Sequence, residues 1–436
     1  MIEVISNSQS CAGAKAWVSG AMKAASIGGV TAAMAAGVTA VGAYAEARHY
    51  VLRRRELWLS DETLPFKEFL KIAAIPTSET SGDSRPRYLA AKRAMRNSDA
   101  INAMIKDANH WKEKPKRLRI LHLSDLHLLA SNRKLLDFTR SLSDYHPDLL
   151  IFTGDLISQA AAIDPLQQAL APFAGTPGAF VFGSNDYFAP RWRNPLRYLW
   201  RTSNSDRALV TAEREKLRLP TEQLTAGLCE LGFTDLNNAR TKLKIGDIEI
   251  SLVGVADPHI NRDNFPDSSN SEVSVGNGAG TRTTLSGRPA TTPSPINSAP
   301  SCASPSLPNA TSDLHIGVTH APYTRVLDQM LADGCRLIFA GHTHGGQVCL
   351  PGKRALVTNC DLPPRLASGA FVWPDTAAAP LKDDGLVALY KNWDAGANSN
   401  GAIVQVSAGL GTTPFVPLRT FCAPEAILSD VYFSDK

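Results

Sequence analysis

Short apolar runs recur along the chain and end, one after another, in polar clusters. Leu118 to Leu123, Leu149 to Thr153, Ala179 to Phe182, Ile248 to Val255, Leu314 to Val318 and Leu337 to Ala340 have this form, as do Ile403 to Ser407 and Ile427 to Phe433. Near-continuous apolar text of this length predicts strands covered on both faces. Between several of them the spacing changes to a helical period, at Asn132 to Ser143, Pro165 to Pro172 and Thr221 to Leu231. The alternation predicts an α/β domain with buried sheets, whose functional groups gather where strands end.

Two stretches depart from this pattern. Ala24 to Ala45 is 22 residues without a charge, between Lys23 and Glu46; as a helix it would reach about 33 Å, one bilayer core. Gly29, Ala33 and Gly37 recur every four residues in it, as at close helix contacts. The segment reads as a single membrane helix, ahead of a secretory signal cut after Ala43-Tyr44-Ala45 and of a small-residue helix packed on the domain. Arg48, Arg53, Arg54 and Arg55 outnumber Lys15 and Lys23 beside it, which places the following domain on the cytoplasmic side of the cell membrane. The second stretch, residues 264–312, is dense in Ser, Pro, Asn, Gly and Thr, and is expected to be a disordered loop inserted in the domain. The implied organisation is an N-terminal region (residues 1–55), an irregular connector (56–116) with helical spacing near Phe66 to Ile72 and from Tyr88 to Ile105, and a main domain (117–434).

Composition narrows the picture only a little. The 436 residues carry 45 Lys and Arg against 41 Asp and Glu, a net charge of +4 too mild to argue for nucleic-acid binding. Seven cysteines, widely spaced and without a CxxC pair, make a poor disulfide framework and read as reduced thiols.

The chemistry lies just past the strands. Ser124-Asp125-Leu126-His127 follows the first run; in extended chain, residues two apart point the same way, so Asp125 and His127 can meet one cation. Gly154-Asp155 follows the second, Gly183-Ser184-Asn185-Asp186 the third, Thr319-His320 a later one, and Gly341-His342-Thr343-His344-Gly345-Gly346 the last of the series. Asp125, His127, Asp155, Asn185, His320, His342 and His344 thus form a candidate ligand set. Seven ligands exceed the needs of one transition ion but suit two ions sharing a carboxylate. Two divalent cations against two aspartates leave about +2, enough to hold a hydroxide and an anionic phosphate ester.

In this order, Asp-x-His, Gly-Asp, Gly-x-Asn-Asp and Gly-His-x-His resemble the calcineurin-like metallophosphoesterases. The resemblance is greatest to the bacterial, membrane-associated branch with a Gly-His-Thr-His-Gly-Gly-Gln motif, here residues 341–347. It covers about residues 117–434 apart from the low-complexity loop. It implies two packed mixed β-sheets flanked by helices, a four-layer sandwich. It also implies one metal on Asp125, His127, Asp155 and His344, and a second on Asp155, His320, His342 and an Asn. The metals would be Mn, Fe or Zn, and the activity hydrolysis of phosphomonoesters or phosphodiesters by a metal-bound hydroxide. The expected partner is a phosphoester substrate, a lipid-linked one included, with the membrane met through residues 24–45 and no nucleic acid.

One motif departs from the family. Its third element is usually Gly-Asn-His, in which the Asn binds metal and the His contacts substrate. Here the text is Gly183-Ser184-Asn185-Asp186, and either Ser184 or Asn185 takes the Asn position, leaving Asn185 or Asp186 in place of the His. Asn185 is expected near a metal in either register, and it is the residue assigned to catalysis. An amide holds a phosphate oxygen but donates no proton in general acid catalysis, so basic leaving groups should depart slowly. The alternative function is a catalytically impaired, metal-binding phosphate sensor or scaffold.

Three further stretches have plainer readings. Tyr187 to Arg201 interleaves aromatics with arginines and reads as an amphipathic segment packed on the domain, with headgroup binding second. Asp257-Pro258-His259 marks a rim position, and the basic residues from Lys112 to Arg119 a solvated approach to the first strand.

Overall fold

The computed structural model describes residues 39–60, 115–190, 215–267, 312–374, 380–390, 401–412 and 415–433. In chain order these form β1 (Val51–Ser60), β2 (Lys116–Leu123), α1 (Arg133–Ser141), β3 (Leu149–Phe152), α2 (Ile163–Leu170), β4 (Gly178–Phe180), α3 (Ser184–Tyr187), α4 (Thr221–Glu230), β5 (Phe233–Asp235), β6 (Ala239–Ile245) and β7 (Ile248–Val255). After these come β8 (Leu314–Thr319), α5 (Thr324–Ala332), β9 (Leu337–Ala340), β10 (Cys349–Leu350), β11 (Arg354–Ala355), β12 (Gly369–Trp373), β13 (Gly385–Tyr390), β14 (Ala402–Val406) and β15 (Glu425–Phe433).

Two mixed sheets carry the fold. One has the order β13-β1-β15-β2-β3-β4-β5, the other β12-β14-β9-β8-β7-β6, and β10 and β11 pair separately as a small hairpin. The first is parallel except where β15 meets β2, and the second is parallel through β14, β9, β8 and β7 with antiparallel edges. Strand alternation sorts side chains into layers. On β2, Leu118 and Ile120 face the second sheet, where they meet Ile250, Ile316 and Phe339, whereas Leu121 and Leu123 face α1, α2 and α4. Helix α5 covers the far face of the second sheet through Val326, Leu327 and Met330. The result is the expected four-layer arrangement, and it brings the ends of β2, β3, β4, β8 and β9 to one edge.

All eight runs expected to be strands overlap strands, and the three helical runs overlap α1, α2 and α4, α2 beginning two residues earlier than expected. The main correction is β1. Residues 51–60, which the sequence divides between the N-terminal region and the connector, form an interior strand between β13 and β15. Two of its arginines are paired: Arg53 lies 3.5 Å from Glu425 and 3.2 Å from Asp383, and Arg55, buried, lies 3.8 Å from Glu425. Strands β7 and β8 flank the low-complexity stretch and pair with each other, so the insertion interrupts a sheet. Cys335, Cys349, Cys360 and Cys422 are free thiols.

Residues 61–114 and most of 24–45 and 264–312 lie outside the described residues, as do residues 191–214, which contain most of the arginine and aromatic run. Residues 39–46 are helical. Among the described residues no helix is long and apolar enough to cross a membrane. On β2, Arg117 and Arg119 bond Asp430 at 2.8 and 2.9 Å, which accounts for part of the basic cluster as paired surface charge.

Candidate metal centre

Five of the seven candidate ligands sit in tight bends just past strands. Asp125, His127, Asp155, His342 and His344 all have positive φ, between 41° and 69°, five of the twelve such non-glycine residues among those described. Left-handed backbone costs an L-residue roughly 1–2 kcal/mol, and strain gathered in this way marks a functional site. Glycines make the approach close enough. A Cβ on Gly341 would run into Ser124 Oγ and Asp125 Oδ2, and one on Gly183 into Asp155 Oδ1.

The polar atoms converge in two halves. His127 Nε2 stands 3.0 Å from His344 Nε2, and His344 Nε2 stands 3.7 Å from Asp125 Oδ1. His320 Nε2 stands 3.2 Å from His342 Nδ1. Between the halves, Asp155 Oδ2 lies 3.4 Å from His127 Nε2 and 3.7 Å from His320 Nε2. Asp125, His127 and His344 form one trio able to hold a metal; Asp125, Asp155 and His320 form another. The free ring nitrogens are set by partners behind them. His320 Nδ1 donates to the Thr153 carbonyl at 2.6 Å, and His342 Nε2 to the Asn359 carbonyl at 3.4 Å.

Asn185 and Asp186 divide the work of the third motif. Asn185, on α3, donates from its backbone N and from Nδ2 to the two oxygens of Asp155, at 2.8 and 2.7 Å. Asp186 turns the other way, buried, and accepts from the amides of Leu156, Ile157 and Gly183 at 2.7, 3.2 and 3.0 Å, tying the ends of β3 and β4 together. Burial and the neighbouring Asp155 push its carboxyl up to about 7. Asp186 is therefore structural, and Asn185 is the member of the motif that reaches the cluster.

The electrostatics fit cation binding. Burial alone would depress His320, but Asp155, Asp257 and Asp125 outweigh it and lift the imidazole to about 9. Burial raises Asp155 less than His320, His127 and the Asn185 bonds lower it, so its carboxylate is held well below the usual range. Burial drives His342 and His344 well below theirs, helped by neighbouring His259 and His320 at the first and by His127 and Arg419 at the second. Neutral His342 and His344 have the protonation state that metal ligands require, whereas His320, held up by the three carboxylates, carries a proton that a cation would displace.

Some residues here carry no signal in the sequence. Arg419, fully buried, fixes the floor of the His344 loop by donating to the carbonyls of Ala408, Gly409 and Gly411 at 2.7, 3.2 and 2.6 Å. Nothing around it in the sequence resembles a motif. His259 is where the Asp-Pro-His text places it, on the rim: its ring is exposed, 4.4 Å from the His342 ring, and its Nδ1 is 3.2 Å from the Tyr323 hydroxyl. A separate trio, His315, Asp333 and Cys335, also has metal-like spacing. Arg240 bonds both oxygens of Asp333 at 2.7 Å and His315 adds a third bond at 2.8 Å. A guanidinium in that position opposes a cation, and the trio is an ion-pair network.

The family model described as calcineurin-like phosphoesterase matches residues 118–247. No curated protein matches the chain significantly. Among solved structures, TT1561 of Thermus thermophilus aligns at 12% identity and a TM-score of 0.24, over 52% of this chain and 82% of that one. GAP50, titled the anchor in the inner membrane complex of Plasmodium, aligns at 13% identity and the same TM-score, over 52% and 66%. Neither likeness is strong enough to transfer a property.

Proposed function

We propose that the chain hydrolyses a phosphomonoester or phosphodiester with two metal ions, one on Asp125, His127, Asp155 and His344, the other on Asp155, His320, His342 and Asn185. The observation that carries this reading is the pairing of imidazole nitrogens at 3.0 and 3.2 Å on either side of one carboxylate oxygen. Lone pairs so close repel unless a proton or a cation lies between them, and this donor set suits Mn, Fe or Zn. When bound, such ions supply an activated water and stabilise charge developing on the phosphoryl oxygens.

The protein's own groups do the positioning. Asp155 and Asp125 provide the negative charge, the Thr153 and Asn359 carbonyls hold two imidazoles in orientation, and the Asn185 amide, bonded to Asp155 Oδ2 at 2.7 Å, orients that carboxylate. Asp186 is turned into the backbone and gives no proton to a leaving group. Aryl esters, whose leaving groups need no acid, should therefore turn over at least about tenfold faster than alkyl esters. Assays of both classes with added Mn²⁺, Fe²⁺ or Zn²⁺ test the proposal. Equal rates would point to another proton donor, His259 being the imidazole on the rim. Metal binding without hydrolysis of any ester would favour the sensor reading, whose support is the absence of a histidine from the third motif.

A membrane role for residues 24–45, with the catalytic part on the cytoplasmic side, belongs to the same proposal. Its support is the uncharged sequence and an apolar rim. Val41, Leu356 and Phe421 are 70%, 55% and 52% exposed, and the Ala43 carbonyl and Glu46 carboxylate accept from the backbone of Arg419, Phe421 and Cys422, next to the His344 loop. The chain should then remain with the membrane fraction in high salt and be released by detergent; release by salt alone would remove the anchor.

A further inference from the structure

The layer between the two sheets is largely apolar, and one continuous line of hydrogen-bonded polar side chains crosses it. On β2, β14 and β15, alternation turns His122, Gln405 and Ser429 into that layer, among Leu118, Ile120, Ile403, Ile427, Phe339 and Val431. All three are fully buried, and the His122 ring packs edge-on against Phe339 at 5.1 Å. Polar groups in such a place are costly unless each is bonded. Here each is.

The bonds run in one direction. Ser429 Oγ donates to Gln405 Oε1 at 3.0 Å, and Gln405 Nε2 faces His122 Nδ1 at 3.4 Å. An amide nitrogen can only donate, so His122 Nδ1 accepts, and the neutral ring carries its proton on Nε2. His122 Nε2 then donates to Thr153 Oγ1 at 2.9 Å, Thr153 Oγ1 donates to Ser124 Oγ at 2.7 Å, and Ser124 Oγ donates to Asp125 Oδ2 at 2.5 Å. Asp125 Oδ2 also lies 2.9 Å from the His342 amide, closer than Oδ1 at 3.1 Å. The oxygen left toward the His344 imidazole is Oδ1, 3.7 Å from its Nε2.

We infer that Ser124, Thr153 and His122, set in polarity by Gln405 and Ser429, are positioning residues that lock the Asp125 carboxylate with Oδ2 engaged and Oδ1 presented to a cation. The inference rests on the reading of Asp125 as a metal ligand. It explains a feature otherwise unfavourable to the fold: leucine or valine at these inward positions would fill the layer without any need for partners. It also assigns a role to ordinary hydroxyl residues that no motif singles out.

The test is calorimetric titration of the full chain with Mn²⁺ alone, together with thermal unfolding of the same proteins in EDTA. Thr153→Val keeps shape but removes the link, and Ser124→Ala removes the last donor with the smallest change in volume. Each should weaken Mn²⁺ binding by about 10 to 100-fold. Thr153→Ser, which keeps the hydroxyl, should bind within about threefold of the wild type. Gln405→Glu, of equal size, takes away the donor to His122 and reverses the line, so it should lose affinity as Thr153→Val does. Should Thr153→Val not fold, Ser124→Ala and Gln405→Glu carry the same test. Unchanged affinity in the folded variants, with only the EDTA unfolding temperature lowered, would make the line a packing feature and overturn the inference. Failure of the wild type to bind Mn²⁺ would instead overturn the metal reading beneath it.

Discussion

Asp155 is the side chain through which both halves of the cluster meet, and at the scale of single residues it gives the sharpest expectation. Asp155→Asn keeps the size and the Asn185 contact region but removes the charge between His127 and His320. Mn²⁺ affinity should fall by more than about 100-fold, with hydrolysis falling in step, as read by calorimetry and steady-state rates. A pH effect follows from His122, which burial, reinforced by Arg55, holds at about 3. Its unfolded value is about 6.5, so between those values the unfolded chain binds the extra proton and stability rises with pH. The wild type should lose about 2 kcal/mol between pH 7 and pH 5 from this group. His122→Gln, which can accept from Gln405 and donate to Thr153, lacks that loss; urea unfolding at the two pH values measures the difference, and equal losses would count against it. The ligands were legible because Asp and His directly after an apolar run are chemically conspicuous. Thr153, Ser124 and Arg419 were not, since their roles depend on neighbours far away in the chain.

Among elements, the buried strands announce themselves because both faces are covered and nearly every position is apolar. Strand β1 does not, since Arg53-Arg54-Arg55-Glu56 breaks the run, and the partners of Arg53 and Arg55, Glu425 and Asp383, lie more than 320 residues away. The two registers of the third motif are not separated in the sequence; in the structure α3 turns Asp186 into the backbone and Asn185 onto Asp155. The turn after β9 has little room. Gly341→Ala would drive a methyl into Ser124 and Asp125, at a cost of about 1–3 kcal/mol. It should lower the unfolding temperature in EDTA and weaken Mn²⁺ binding as well. Wild-type behaviour in both measurements would mean that the turn relaxes more freely than its packing implies.

For the molecule as a whole, two sheets, held together by a largely apolar layer, deliver strand ends to one edge, and what gathers there is a cluster of carboxylates and imidazoles that could hold metal ions. Bound ions stabilise whatever state holds them: metal at 100 times its dissociation constant adds about 2.7 kcal/mol, several degrees in unfolding temperature for a domain of this size. Chelation should lower that temperature, and re-addition should restore it. The most direct measurement of the central claim is metal content per chain after exhaustive dialysis, taken on wild type and Asp155→Asn together with hydrolysis of bis-p-nitrophenyl phosphate. Two ions per wild-type chain, fewer in the variant, and hydrolysis lost with the metal are the predicted result. A wild-type chain that retains no metal, or that hydrolyses the ester equally well after complete chelation, would contradict it.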